Sequence, residues 1–123
     1  MAFVNDLLMD VMLQYLIDNG DMLNICDTIP TTYTEATSTY MLAQVALTAP
    51  DYALANGDTS GRKVTVAGQT AVTVTNPGTS LVAAITDSVG TDLLIYATCS
   101  SIALLAGNTI NTTSFDWEIL DAA

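Results

Sequence analysis

Turn chemistry limits how long any regular element can run in the second half of this chain. Ala49-Pro50-Asp51, Asn56-Gly57-Asp58, the break between Ala67 and Ala71, Asn76-Pro77-Gly78, residues 87–92 through Gly90, and Ala106-Gly107-Asn108 interrupt it repeatedly. Between these stops stand short runs with valine, isoleucine, leucine and threonine: 62–67, 71–75, 81–86, 93–99, 102–105, 109–113 and 115–119. Val64 and Val66, then Val72 and Val74, alternate as a half-buried strand requires. Short strands at roughly eight- to twelve-residue spacing predict an antiparallel β-sandwich or barrel. The turn-rich stretch 56–61 leads into 62–67 and 71–75, which are expected to pair as a hairpin with Arg62 and Lys63 at its mouth. Asn76-Pro77-Gly78-Thr79 predicts a type II turn, with proline and glycine at its two central positions.

The first twenty residues read differently. Phe3, Leu7, Val11 and the neighbouring Leu8, Met12, Tyr15 and Leu16 recur at three- and four-residue spacings, which predicts an amphipathic helix over residues 3–19 ending at Gly20. Met9, Leu13 and Ile17 make its apolar surface wider than one packed face needs. Such a helix either lies within one core or covers a sheet on one side and a neighbouring subunit on the other. Residues 22–26 read as a strand and 27–39 as a hydroxyl-rich connector with a helical turn near 34–37. Residues 40–48 alternate as a strand but also contain good helix formers; strand is the reading taken here, and 52–55 adds a short edge strand. The expectation is a single mainly β domain over residues 1–123, with one helix (about 3–19) and a β region (about 22–121).

Thirteen acids against two bases give a formal charge of −11, which argues against nucleic acid and anionic membranes and suits either a cationic protein partner or plain solubility in a concentrated assembly. The apolar N-terminus carries acids and no base, so neither a signal peptide nor a transmembrane helix is expected, and synthesis in the cytoplasm is. Histidine is absent, removing the commonest general base and metal ligand together. No nucleophile motif, phosphate-binding loop or dinucleotide fingerprint is present, so no catalytic residue, cofactor or metal is assigned and the chain is not expected to be an enzyme. Asp116 and Glu118 fall on the solvent face of one strand, and Asp87 and Asp92 lack the dense spacing of a calcium loop. Cys26 and Cys99 read as two buried free thiols, with a single Cys26–Cys99 disulfide as the alternative. Trp117 reads as an anchor in the core or at a subunit interface, with a sugar platform as the alternative.

Three stretches carry a resemblance: ICDTIPTTYTEATSTY (residues 25–40), GDTSGRKVTV (57–66) and LLAGNTINTTSFDWEI (104–119). In this order they resemble landmarks of a group of small tailed-bacteriophage proteins. Members typically show Cys-x-x-x-Pro-Thr-Thr-Tyr-x-Glu-Ala-Thr-Ser-Thr, then Gly-Asp-x-Ser-Gly-Arg-x-Leu/Val-Thr-Val, then Leu-x-x-Gly-Asn-Thr before a terminal aromatic strand. Asp27, where a small residue is more usual, and the strongly acidic helix depart from that pattern. The group is associated with virion structure and is similar to capsid decoration, or cement, proteins. The resemblance implies a homo-oligomer, trimer or dimer, that binds the major capsid protein on the outside of the shell and reinforces contacts between capsomers. On that reading Phe3, Leu7, Val11, Tyr15 and Trp117 are the candidate self-association residues, and Arg62 with Lys63 the candidate capsid contact; the alternative for these two bases is simple pairing with nearby Asp58. The alternative is a host-recognition or glycan-binding module on a tail or fibre, although the tyrosines are spread along the chain rather than grouped.

Overall fold

The computed structural model describes residues 6–58 and 60–119. In chain order its elements are α1 (Asp6–Asn19), β1 (Met22–Cys26), a π-helical turn (Glu35–Thr39), β2 (Met41–Ala46), a 3₁₀ turn (Ala49–Asp51), β3 (Tyr52–Asn56) and β4 (Arg62–Val66). They continue with β5 (Val72–Thr73), β6 (Gly78–Thr79), β7 (Val82–Asp87), β8 (Asp92–Thr98), β9 (Ala103–Leu104), β10 (Thr109–Ile110) and β11 (Phe115–Ile119). The protein is mainly β, with antiparallel sheets and one N-terminal helix, as the turn spacing predicts.

Two sheets carry the architecture, ordered β2-β1-β7-β8 and β11-β4-β3, beside the two-stranded ladders β10-β5 and β6-β9. Leu23, Ile25 and Ile85 of the first sheet share one buried cluster with Tyr52, Val64 and Val66 of the second, and Leu13 and Leu16 of α1 join it. This is sandwich packing, and the sheets do not close into a barrel. On the other face of the first sheet Cys26, Val82 and Ala84 are covered by Ala36 of the π-helical turn. Glu35 holds that covering segment in place by accepting hydrogen bonds from the Thr31 N–H at 2.9 Å and the Thr31 hydroxyl at 2.7 Å. The register of the first sheet is pinned by buried Asn24. Its Nδ2 donates to Thr86 Oγ1 at 3.0 Å and to the Ala84 carbonyl at 3.3 Å, while Gln44 Nε2 donates to its Oδ1 at 2.6 Å. A one-residue slip would turn these amides into the apolar core, where an unmatched polar group costs about 1–3 kcal/mol.

Residues 40–48 settle as the strand β2 because Met22↔Ala46 through Cys26↔Met41 pair along β1; cross-strand pairing outweighs the helix-forming side chains. Two expectations are corrected. Strand β4 does not form a hairpin with the run after it: β4 lies between β3 and β11, and β5 pairs with β10. The hairpin is β3–β4, and the stretch after Asn56 is its loop, with Gly61 at φ 71° and the Gly57 N–H donating to the Gly61 carbonyl at 2.9 Å. Gly78 is not the positive-φ residue of a type II turn either. It belongs to β6, paired with Leu104, so the strand ladder takes the residues that the Pro-Gly signal assigns to a turn.

Candidate functional site

Helix α1 divides its apolar residues between two faces. Met9, Leu13 and Leu16, at helical spacing, are buried. The opposite line, Leu7, Val11 and Tyr15, is 75%, 66% and 55% exposed, and Leu8 and Met12 flank it half exposed. The interior therefore uses one stripe and leaves the Leu7–Val11–Tyr15 stripe facing water. Phe3, expected on the same stripe, lies outside the described residues. Trp117 is half buried on β11, its ring edge-on to Phe115 at a centroid distance of 4.8 Å.

Arg62 and Lys63 are neighbours on β4 and point to different partners. Arg62 Nε donates to Asp10 Oδ1 of α1 at 2.7 Å, and its Nη1 to Asn56 Oδ1 at 2.7 Å, so it ties the helix to the β3–β4 hairpin. Lys63 Nζ donates to Asp58 at 2.7 Å and to Asp116 at 3.3 Å, joining the hairpin loop to β11. The two side chains are only 19% and 18% exposed. Asp58, then Asp116, raise the Lys63 pKa above its ordinary value. The Thr65 hydroxyl, followed by Lys63, holds the Asp116 carboxyl below the usual range. Sequence reading singles out the pair as a cationic point in an acidic surface; the fold engages both with acids of the same chain.

The remaining feature is a flank. Strand β8 ends one sheet and β11 ends the other. Between them opens a cleft of about 750 Å³, with Ala97 and Thr98 on one wall, Phe115 and Asp116 on the other, and Ile25 and Leu104 among its lining residues. Toward the helix a smaller pocket of about 250 Å³ lies among Met12, Ile95, Trp117 and Glu118. The flank thus runs from α1 past two strand edges. Sequence reading missed it, although one signal was there: β8 is DLLIYAT, apolar on both faces, with neither lysine nor proline to blunt an edge.

Groups that could do chemistry are tied up elsewhere. Among the described residues no three His, Cys, Asp or Glu side chains gather to hold a metal ion. Asp87 instead accepts the backbone N–H groups of Val89 and Gly90 within its own turn. Cys26 and Cys99 are free thiols rather than a disulfide. Cys26 donates to the Ala36 carbonyl at 3.4 Å, and burial, with Asp27 and Cys99 adding to it, pushes its pKa up to about 12, which keeps it a thiol rather than a nucleophilic thiolate. Cys99 is half buried, and its pKa is also raised by burial. No described helix is long and apolar enough to cross a membrane. Comparison with protein-family models, with curated proteins and with solved structures found no match to this chain.

Proposed function

We propose that this chain is a structural virion protein that self-associates and binds the outer surface of a phage capsid, reinforcing contacts between capsomers. The observation that carries the self-association is the outer face of α1. Leu7, Leu8, Val11, Met12 and Tyr15 form one continuous apolar strip on a helix whose other face is already buried. Exposed apolar strips of this kind mark interaction surfaces, and burying each large side chain fully stabilises by roughly 1.5–3 kcal/mol. The resemblance of residues 25–40, 57–66 and 104–119 to small phage proteins supports the virion setting. Arg62 and Lys63 enter the proposal chiefly as ties within the subunit, since a capsid contact through them would have to compete with Asp10, Asp58 and Asp116.

Two measurements test it. Sedimentation should find an oligomer that Leu7→Asp converts to a folded monomer; an unchanged oligomer removes the helix strip as the interface. Quantitative mass spectrometry of purified particles should find a copy number comparable to that of the major capsid protein. A copy number in the tail or vertex range would favour the host-binding module, and complete absence would end the virion reading.

A further inference from the structure

We infer that residues 28–39 form a cover over the outer face of the first sheet, one that opens as a unit while the sandwich stays folded, and that Glu35 holds it shut. Alternation along β1 and β7 sends their side chains two ways. Leu23, Ile25, Ala83 and Ile85 enter the main core, whereas Cys26, Val82 and Ala84 form a small separate cluster on the outer face. Ala36 closes that cluster, with Tyr40, Leu81 and Leu93 partly buried against it.

The covering segment is bonded mostly to itself. Its ends meet where the Asp27 N–H donates to the Tyr40 carbonyl at 3.1 Å. Within that closure the Ala36 N–H donates to the Thr32 carbonyl at 3.1 Å and the Tyr40 N–H to the Glu35 carbonyl at 2.8 Å. The Thr37 hydroxyl donates to the Tyr33 carbonyl at 2.8 Å. A loop with joined ends and its own internal bonds is a compact structural unit. Among the described residues, a single hydrogen bond joins 28–39 to the strands beneath, from the Cys26 thiol to the Ala36 carbonyl at 3.4 Å. A thiol is a weak donor, and within the segment only Pro30 and Ala36 are buried. Opening therefore gives up little apolar burial and leaves every strand ladder intact, which are the conditions for local unfolding below the global transition.

Glu35 gives the closed loop its shape. Its Oε1 accepts both the N–H and the hydroxyl of Thr31, at 2.9 and 2.7 Å, and its own N–H donates to Thr32 Oγ1 at 3.1 Å. These bonds fold the chain immediately before Ala36 and so seat Ala36 on the cluster. The thiol beneath reports the state of the cover. Cys26 is 0% exposed when the cover is shut, and burial is the main cause that pushes its pKa up to about 12. Once uncovered, the thiol meets water and regains ordinary reactivity.

The test counts openings by thiol labelling in a Cys99→Ser background, where Cys26 is the one cysteine left. Dithiodipyridine should label Cys26 far more slowly than in the urea-unfolded chain, at a rate nearly flat in low urea; labelling through global unfolding would climb steeply there. Glu35→Ala should speed labelling severalfold. Ile85→Val thins the main core on the other face of β7; it should lower the urea midpoint and leave labelling in water unchanged. Amide exchange gives a second reading: the Ala36 and Tyr40 amides should exchange faster than those of β1 and β7. Leu7→Asp should alter neither reading, which keeps this device apart from the helix strip. Labelling with the full urea dependence of unfolding, acceleration by Ile85→Val, indifference to Glu35→Ala, or a native rate equal to that of the unfolded chain each overturns the inference.

Discussion

The two flanks of the sandwich are built on opposite plans. On the closed flank, β2 is not left as an edge: the Thr75 and Asn76 N–H groups both donate to the Leu42 carbonyl, at 2.7 and 3.1 Å, and Asn76 Nδ2 donates to the Met41 carbonyl at 2.8 Å. Ala43 also bridges Val74. The stretch 74–76 thus covers the β2 edge and satisfies the Met41 and Leu42 carbonyls. On the open flank, β8 and β11 end their sheets beside a cleft, and the side chains there are only partly buried. One core supports both sides, so the contrast reflects where chain has been spent on covering an edge. Edge protection is the rule in soluble β proteins, and among the described residues β8 goes without it.

The sharpest way to break this comparison is to truncate facing residues. Ile85 on β7 and Ile95 on β8 are direct cross-strand partners, but Ile85 is fully buried and Ile95 only half buried. Ile85→Ala should cost about 3 kcal/mol in denaturant unfolding, the transfer loss plus a cavity that the surrounding strands cannot fill. Ile95→Ala should cost about 1 kcal/mol or less, because its site already opens on the smaller pocket beside Trp117. Equal losses would mean that the flank is as well packed as the interior.

A second effect lies where the helix joins the body. A β-carbon at Gly20 would come within 2.7 Å of the Leu16 carbonyl oxygen, the Tyr52 hydroxyl and an Ile85 methyl. Two of these atoms have little freedom to retreat, since the Leu16 oxygen already accepts the Gly20 N–H at 2.7 Å and the Tyr52 hydroxyl donates to the Gly20 carbonyl at 2.7 Å. Gly20→Ala should therefore destabilise by about 2 kcal/mol through overpacking. A neutral result would show that α1 can lift away from the strands, and the asymmetry between its two faces would lose its cause.

Much of this was legible in the sequence, for local reasons. The helix, β1 and the strands β7, β8 and β11 fall close to where periodicity and turn residues put them. Residues 115–119 also alternate as expected, with Phe115, Trp117 and Ile119 packed on the core and Asp116 and Glu118 more exposed. The errors are pairings. The run 71–75 reads as a partner for β4 because it follows closely and also alternates valines, yet β11, more than forty residues away, takes that place with Trp117 opposite Val64. Proximity in the chain is only a prior for pairing, and the β3–β4 loop uses the stronger turn signal. The candidate site was read unevenly for a related reason. A wide apolar helix announces an exposed stripe in one dimension. The flank exists only once two sheets have chosen their end strands; of the partners of Arg62 and Lys63, Asn56 and Asp58 lie close by in the chain, whereas Asp10 and Asp116 are brought in from far away.

A smaller test probes the closed side through one hydroxyl. Tyr52 is buried on β3, and removing its bond to the Gly20 carbonyl by Tyr52→Phe should cost about 1 kcal/mol with little change in the fold. A larger loss, approaching that of Gly20→Ala, would show that this single bond sets the helix position rather than the packing around it.

The smallest expected effect concerns pH on the same side. The Asp51 carboxyl is held below its ordinary value chiefly by the Thr48 N–H at 2.8 Å, with Gln69 Nε2 and the Thr48 hydroxyl adding to it. Its folded pKa thus lies below the unfolded value of about 3.9, so the stability it contributes is complete above that value and is lost as pH falls through the depressed one. Asp51→Asn should lower the melting temperature slightly at about pH 7, and the gap should close as pH falls through the depressed pKa, where the wild-type carboxyl gains its proton. A gap that stayed constant over that range would assign the effect to the shape of the side chain. In that case the 3₁₀ turn leading into β3 would be held by geometry alone, and charge would have no part in closing this side of the sandwich.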